Sequence, residues 1–256
     1  MRLSFLVAAA VLSTLPACFQ FEITAQAAYA QMSIDGDLGY VQGSGANPAT
    51  IQQDVKSAFG LGDDQGIPYG RLTIDTGVPV IAVSGFVLED EGTGVLQASF
   101  GDSGLLNAGA PVRSEFTMAN AKISYAFEIP IGPVSFMPGL AVDYIDLDVE
   151  IADLIGITTE RVQLQAPIPL GFARLEVDLK WFSAVAEVGY LEVDVEDVNT
   201  SLLDIEALLM FHPTSLLNLF AGYRSIEFEG DGIIDNDSFA TDLQISGFMV
   251  GGGLRF

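Results

Sequence analysis

A two-residue rhythm of apolar and polar side chains runs through most of this chain, and it is cleanest between Ser114 and Ile129. Ala119, Ala121, Ile123, Tyr125, Phe127 and Ile129 share one face, while Ser114, Asn120, Lys122, Ser124 and Glu128 share the other. Successive side chains of an extended strand point to opposite sides, so this rhythm predicts strands with one apolar face. Similar segments fall at about 32–42, 66–76, 79–101, 134–150, 161–178, 181–196, 202–211, 217–229 and 239–256. With 114–129 they make ten strands, with eight as the alternative count. The segment 79–101 follows the rhythm poorly.

Composition narrows what such strands build. Half of the 256 residues are hydrophobic and 17% are charged, and the mean hydropathy of +0.41 is high for a water-soluble chain. Yet no run beyond the N-terminus reaches the ~18 apolar residues of a membrane helix. A greasy chain with 27 glycines and no spanning helix leaves an unusually apolar soluble β protein or a closed β-barrel in a membrane. The net charge of −24 excludes nucleic acid as a partner and disfavours a grip on anionic headgroups, since both need clustered Lys and Arg.

The connections between strands sort into two kinds that alternate along the chain. Thr76-Gly77-Val78, Pro130-Ile131-Gly132-Pro133, Leu179-Lys180-Trp181 and His212-Pro213-Thr214-Ser215 are short and carry little charge. Those around Asp63-Asp64, Asp102, Asp153 to Glu160, Glu196-Asp197 and Glu229 to Asp237 are longer and acidic. A meander with one tight end and one elaborated end has this layout, with the tight end periplasmic and the acidic loops extracellular in a membrane barrel. Between Ala49 and Gly62, Ile51, Val55, Ala58 and Phe59 fall at helical spacing, which predicts a short helix in the first outer loop. The expectation is an all-β, antiparallel, up-and-down transmembrane barrel.

A weak repeat places Tyr40, Tyr144, Tyr190 and Tyr223 on strands assigned as running outward. At Tyr144 and Tyr190 the apolar face shifts by one residue: Val134, Phe136, Leu140 and Val142 share a phase with Tyr144, and Ile145, Leu147 and Val149 have the opposite one. Such a shift marks either a β-bulge or the end of the lipid-facing zone, where a Tyr ring suits the membrane interface. Leu243 and Ile245 are likewise out of phase with Phe248 and Phe256, which calls for a bulge near Ser246-Gly247.

The N-terminus has the form of an address. Arg2 precedes the apolar stretch Leu3 to Leu15, too short to span a bilayer, and Pro16 ends it. Two exits compete: Ala28-Tyr29-Ala30, a small-x-small site, and Leu15-Pro16-Ala17-Cys18, which is similar to a lipobox. The favoured division is a leader over 1–30 and a barrel domain over 31–256. Cleavage after Ala30 leaves no cysteine, which excludes disulfides, thiolate metal sites and Cys nucleophiles.

At the other end, Phe248, Val250, Gly252, Leu254 and Phe256 lie on one face. A terminal strand of this form, closing on Phe, resembles the β-signal through which the barrel-assembly machinery recognises outer-membrane proteins. The stretch from Asp204 to Phe256 is also similar to bacterial outer-membrane barrel families of unassigned role, in which a Gly-Tyr-Arg strand precedes an acidic loop and a Gly-rich last strand. The resemblance implies an outer-membrane, porin-like protein of a Gram-negative cell, with membrane lipid and the assembly machinery as its partners.

Residues able to do chemistry are few. The single histidine, His212, adjoins Pro213 in a turn expected on the periplasmic side, which suits turn ordering better than base catalysis. No catalytic, cofactor-binding or metal-binding residue is assigned and no cofactor is implied. Asp231 to Asp237, with Asp235 and Asn236, and Asp63-Asp64 gather oxygen ligands suited to weak divalent-cation binding, without the spacing of an EF-hand. Arg71, Asp75, Ser114, Asn120, Lys122, Ser124, Glu128, Glu187, Asp204 and Glu206 are candidates for a polar interior in which Arg71 and Lys122 meet carboxylates. The expected function is a structural or surface-interaction role, or passive passage of a small solute. The alternative is a soluble or lipid-anchored barrel or sandwich binding a small apolar ligand.

Overall fold

The computed structural model describes residues 21–41, 51–101, 106–154, 158–195, 198–234 and 237–256. Ten long strands follow one another as β1 Glu22–Val41, β2 Gln65–Asp75, β3 Pro79–Val95, β4 Pro111–Phe127, β5 Val134–Asp153, β6 Thr159–Asp178, β7 Phe182–Val195, β8 Val198–Phe211, β9 Leu217–Ile234 and β10 Asp237–Arg255. Each pairs antiparallel with its sequence neighbours, and β1 pairs with β10 from Thr24↔Arg255 to Val41↔Ser238, which closes the sheet into a barrel. Closure leaves no free edge at the seam of first and last strands, the requirement for a sheet in lipid.

The expected alternation holds in the wall. On β4, Ala121, Ile123, Tyr125 and Phe127 face outward while Asn120, Lys122 and Ser124 are buried inside. The apolar outer band is nine residues tall on β4 (119–127), eleven on β5 (134–144) and nine on β7 (182–190), against the roughly 9–11 that a tilted strand needs to cross hydrocarbon. Leu140 at 71%, Phe248 at 72% and Val250 at 63% are among its most exposed side chains. Trp181, Phe182, Phe211 and Phe256 mark its turn end, and Tyr144 and Tyr190 its outer limit, the two girdles of a membrane barrel. Tyr223 packs beside Phe248 at 5.1 Å. Tyr40 breaks the repeat, because it faces the interior and stacks near Phe100.

The phase shifts come from the end of the lipid zone and involve no bulge. The β5 register passes unbroken through Tyr144↔Ala121 and Ile145↔Asn120, and β10 through Gly247↔Met32 and Ser246↔Ser33. Ile145, Val149, Leu243 and Ile245 are buried inside the barrel, whereas Asp146, Asp148, Gln244 and Asp242 face out. The bulge expected near Ser246-Gly247 is therefore absent. β3 follows the rhythm poorly because it is apolar on both faces: Val83 and Val87 look outward, Phe86 and Leu88 inward.

Two further expectations change, and the expected leader boundary falls within a strand. The Ala28-Tyr29-Ala30 site lies within β1, whose residues Glu22 to Ala30 are laddered to β2, and from Thr24 onward also to β10. Cys18 lies outside the described residues. The acidic segment from Glu229 is largely strand, since β9 runs to Ile234 and β10 from Asp237, and β7 runs to Val195 and β8 from Val198, while Glu196-Asp197 lies outside the described residues. The helix of the first outer loop, α1, is only Val55–Phe59, and Ile51 stays exposed outside it. Asp54 caps it by accepting from Ser57 N at 2.7 Å, and Gly60 ends it with φ 72°. A Cβ at Gly60 would lie 2.2 Å from Thr93 O, so only glycine lets α1 seat this closely on β3.

Candidate functional site

The lumen at the level of the outer apolar band is filled by charged side chains from seven strands. Tyr69 and Arg71 come from β2, Asn120 and Lys122 from β4, Asp143 from β5 and Arg174 from β6. Glu187 comes from β7, Asp204 and Glu206 from β8, and Arg224 from β9, while Phe86 of β3 stacks on the last. Each faces inward because it holds the in-phase position of a strand whose other face meets lipid. All eight charged members are at most 6% exposed.

Their contacts form one network. Arg71 bridges Glu187 and Glu206, reaching the latter at 2.6 Å. Lys122 sits 3.1 Å from Asp204 and 3.5 Å from Glu187. Arg224 donates to Asp204 at 2.8 Å and lies 5.3 Å from the centre of the Phe86 ring. Arg174 contacts Glu187 at 3.4 Å and Glu176 at 2.6 Å. Tyr69 donates to Glu206 at 2.8 Å and Asn120 to Asp143 at 2.5 Å. Four cations, Arg71, Lys122, Arg174 and Arg224, thus meet three carboxylates, Glu187, Asp204 and Glu206, while Asp143 is held by Asn120 beside them. Charges this deep persist only when paired, and the near balance of signs is what makes the fill stable.

The sequence reading placed Arg71, Lys122, Glu187, Asp204, Glu206 and Asn120 here, and they do converge. Ser124 is buried nearby, but Ser114 lies in the outer half, Asp75 accepts from Gly77 N in a turn, and Glu128 accepts from Ser135. Arg174, Arg224 and Asp143 were missed. Arg224 and Asp143 were absorbed into the Tyr repeat, and Arg174 alternates with Gly171, Ala173, Leu175 and Val177, a phase that would have revealed it.

Below the network a vestibule of about 60 Å³ opens toward the tight turns, lined in part by Arg174, Asp178, Asn218 and His212. His212 sits in the β8–β9 turn as expected, with its Nε2 2.9 Å from Ser183 Oγ and its backbone N donating to Trp181 O. The start of β1 and the end of β10 meet at this end, where Arg255 pairs with Glu22 at 2.5 Å. Above the network the lining is predominantly apolar, with Phe116, Met118, Ile145, Leu202, Ile226 and Leu243 among it. At that outer end Val55, Ala58 and Phe59 of α1 join Leu96, Phe100 and Leu106 in the apolar cluster. No group of three or more metal-type ligands occurs among the described residues. Asp235 and Asn236 lie outside them, and Asp231 pairs with Ala240 in the β9–β10 hairpin.

A closed ten-strand barrel with an apolar belt and two aromatic girdles defines a transmembrane β-barrel of the bacterial outer-membrane class. A solved structure supports the fold. The outer membrane protease OmpT from Escherichia coli superposes with a TM-score of 0.53 at 9% identity, over 95% of this chain and 99% of that one. Ail, the attachment invasion locus protein of Yersinia pestis, matches at a TM-score of 0.38 and 12% identity, over 92% and 99% of the two chains. The transport unit of the autotransporter AIDA-I from Escherichia coli matches at 0.40 and 8%, over 99% and 97%. No protein-family model and no curated protein matches the chain.

Proposed function

We propose that this protein is a plugged outer-membrane barrel with a structural or surface-interaction role, and that it does not pass solutes through its lumen. The observation that carries this reading is the buried network of Arg71, Lys122, Arg174 and Arg224 with Glu187, Asp204 and Glu206. A hydrated path would have to separate these pairs, and leaving one buried charge unpaired costs about 3–5 kcal/mol. The apolar residues of α1 are buried at the outer end of the lumen, above that network. Water-facing outer hairpins bearing Asp146, Asp148, Glu192 and Asp194 supply the surface that meets the medium.

Planar-bilayer recording tests the reading. The native barrel is expected to insert without steady conductance, and the double variant Asp204→Ala, Glu206→Ala is expected to show discrete openings. Steady unitary steps from the native protein would refute the plug and restore passive passage.

A further inference from the structure

The wall of the barrel is complete at the belt but not above it. β6 and β7 pair only from Asp178↔Ser183 to Gly171↔Tyr190, and among the described residues nothing pairs with Thr159–Leu170 on that side. Over the same stretch β7 stays paired on its other edge with β8, as in Leu191↔Leu202. The chain itself explains the parting. Continued register would set Glu192 opposite Pro169 and Asp194 opposite Pro167, and proline has no N–H to donate. The β5–β6 ladder passes unbroken through both prolines, so the edge deprived of donors is the one that faces β7.

Both lips of this slit are apolar. Val162, Leu164, Ala166 and Ile168 of β6 point inward, as do Leu191 and Val193 of β7, and none of the six is fully buried, although inward neighbours at this level such as Ile145 and Leu202 are. Val193 is 37% exposed. Behind Leu164 the outer chamber holds a small void of about 20 Å³ lined by Phe116, Leu147, Phe228 and Leu243. The slit begins at Tyr190, the outer limit of the lipid belt, so the chains of the surrounding leaflet abut it.

We propose that this slit is a binding site for one alkyl chain of an uncharged, hydrocarbon-tailed molecule that enters sideways from the leaflet into the outer chamber. The two prolines that open the slit also remove the donors that an added strand would need, which disfavours a peptide or a second copy as the occupant. The rim sets the headgroup. Asp146, Asp148, Glu192 and Asp194 surround it against one cation, Arg161, which is already paired with Asp148. Gln163 and Gln165 donate to Asp148 and Asp146 at 3.1 and 3.0 Å. An anionic head would meet four carboxylates there, and a neutral one would not. The charged network beneath blocks onward movement, so the site retains its occupant and does not conduct it. The slit does not depend on the lumen being plugged, and conductance leaves it unaffected.

The test uses the mature protein in phosphatidylcholine vesicles with a long-chain alcohol bearing a photoreactive diazirine at its tail, and the matching fatty acid as a second probe. The alcohol is expected to label 159–170 and 191–195 above the belt residues Leu140 and Val250, and the carboxylate about tenfold less. Ala166→Trp, which fills the slit, is expected to abolish that labelling while the barrel keeps its heat-modifiable migration. If Ala166→Trp fails to fold, Val193→Phe reads the same effect from the other lip. Uniform labelling around the belt, slit labelling unmoved by a folded variant, or cross-linking of two copies through β6 would overturn the site. Equal labelling by the fatty acid would overturn the selection for an uncharged head.

Discussion

The half of the barrel within the membrane and the half beyond it follow opposite rules. At the level of Leu140 and Phe248 the outside is apolar and the inside carries Arg71, Lys122, Glu187 and Asp204. At the level of Asp148 and Asp242 the outside is acidic and the inside is Ile145, Val149 and Leu243. The same ten strands cross both zones without a change of register, so the difference lies in the solvent. Lipid cannot hydrate a charge, so below the boundary the polar residues retreat inward and must pair there. Water surrounds the outer half, which builds an ordinary apolar core. The outer half taken alone has the pattern expected of a soluble barrel, stacked on a membrane barrel.

The sharpest way to break this contrast is to exchange the rules. Ile145→Asp places an unpaired carboxylate in the apolar half, and Asp204→Leu strands Lys122 and Arg224 in the belt half. Each is expected to lower stability by about 3–5 kcal/mol in urea titrations of the folded barrel followed by gel mobility. Lys122 and Arg224 both contact Asp204, so adding Lys122→Met should recover part of the loss, whereas no second change at belt level should rescue Ile145→Asp. Phe116→Ala, which hollows the outer core, is expected to cost a comparable ~3–5 kcal/mol without touching any ion pair.

The exterior gives a smaller contrast. Leu140→Arg on the belt is expected to cost about 2–4 kcal/mol, and Gln165→Arg on the outer hairpin close to zero, in the same assay. If both were silent, the membrane boundary at Tyr144 would be misplaced.

The smallest effect concerns α1. Hydrogen bonds from Ser57 hold the Asp54 carboxyl below its ordinary value, so the cap contributes fully above the usual carboxylate range and is lost as pH falls through its own lower value. Asp54→Ala is expected to loosen α1 by about 1 kcal/mol, read as faster amide exchange over 55–59 with the belt unchanged. N-terminal sequencing of the mature chain is expected to place its first residue at or before Glu22. Loss of 22–30 would take away the paired residues of β1 that close the barrel at the turn end.

Part of the site was legible because inward phase and charge coincide: Lys122 stands alone among small polar neighbours on a strand whose other face is plainly apolar. Arg174, Asp143 and Arg224 were not, since acidic or Tyr-bearing repeats offered a competing reason for them. The slit was invisible because Pro167 and Pro169 keep the alternation of β6 intact and alter only the bonding along one edge.

By itself the sequence determined the antiparallel meander of about ten strands, the tight and acidic ends, the helix in the first outer loop and, on the strands that alternate clearly, which face is apolar. Those follow from a period of two and from turn chemistry, which are local. The tertiary structure alone decided that the phase change at Tyr144 is a change of solvent and not a bulge. It also decided which carboxylates the four buried cations meet, and where the wall parts. Each of these depends on register across strands far apart in the chain, because a side chain's partners in a barrel are set by the neighbouring strands and by the lumen they enclose.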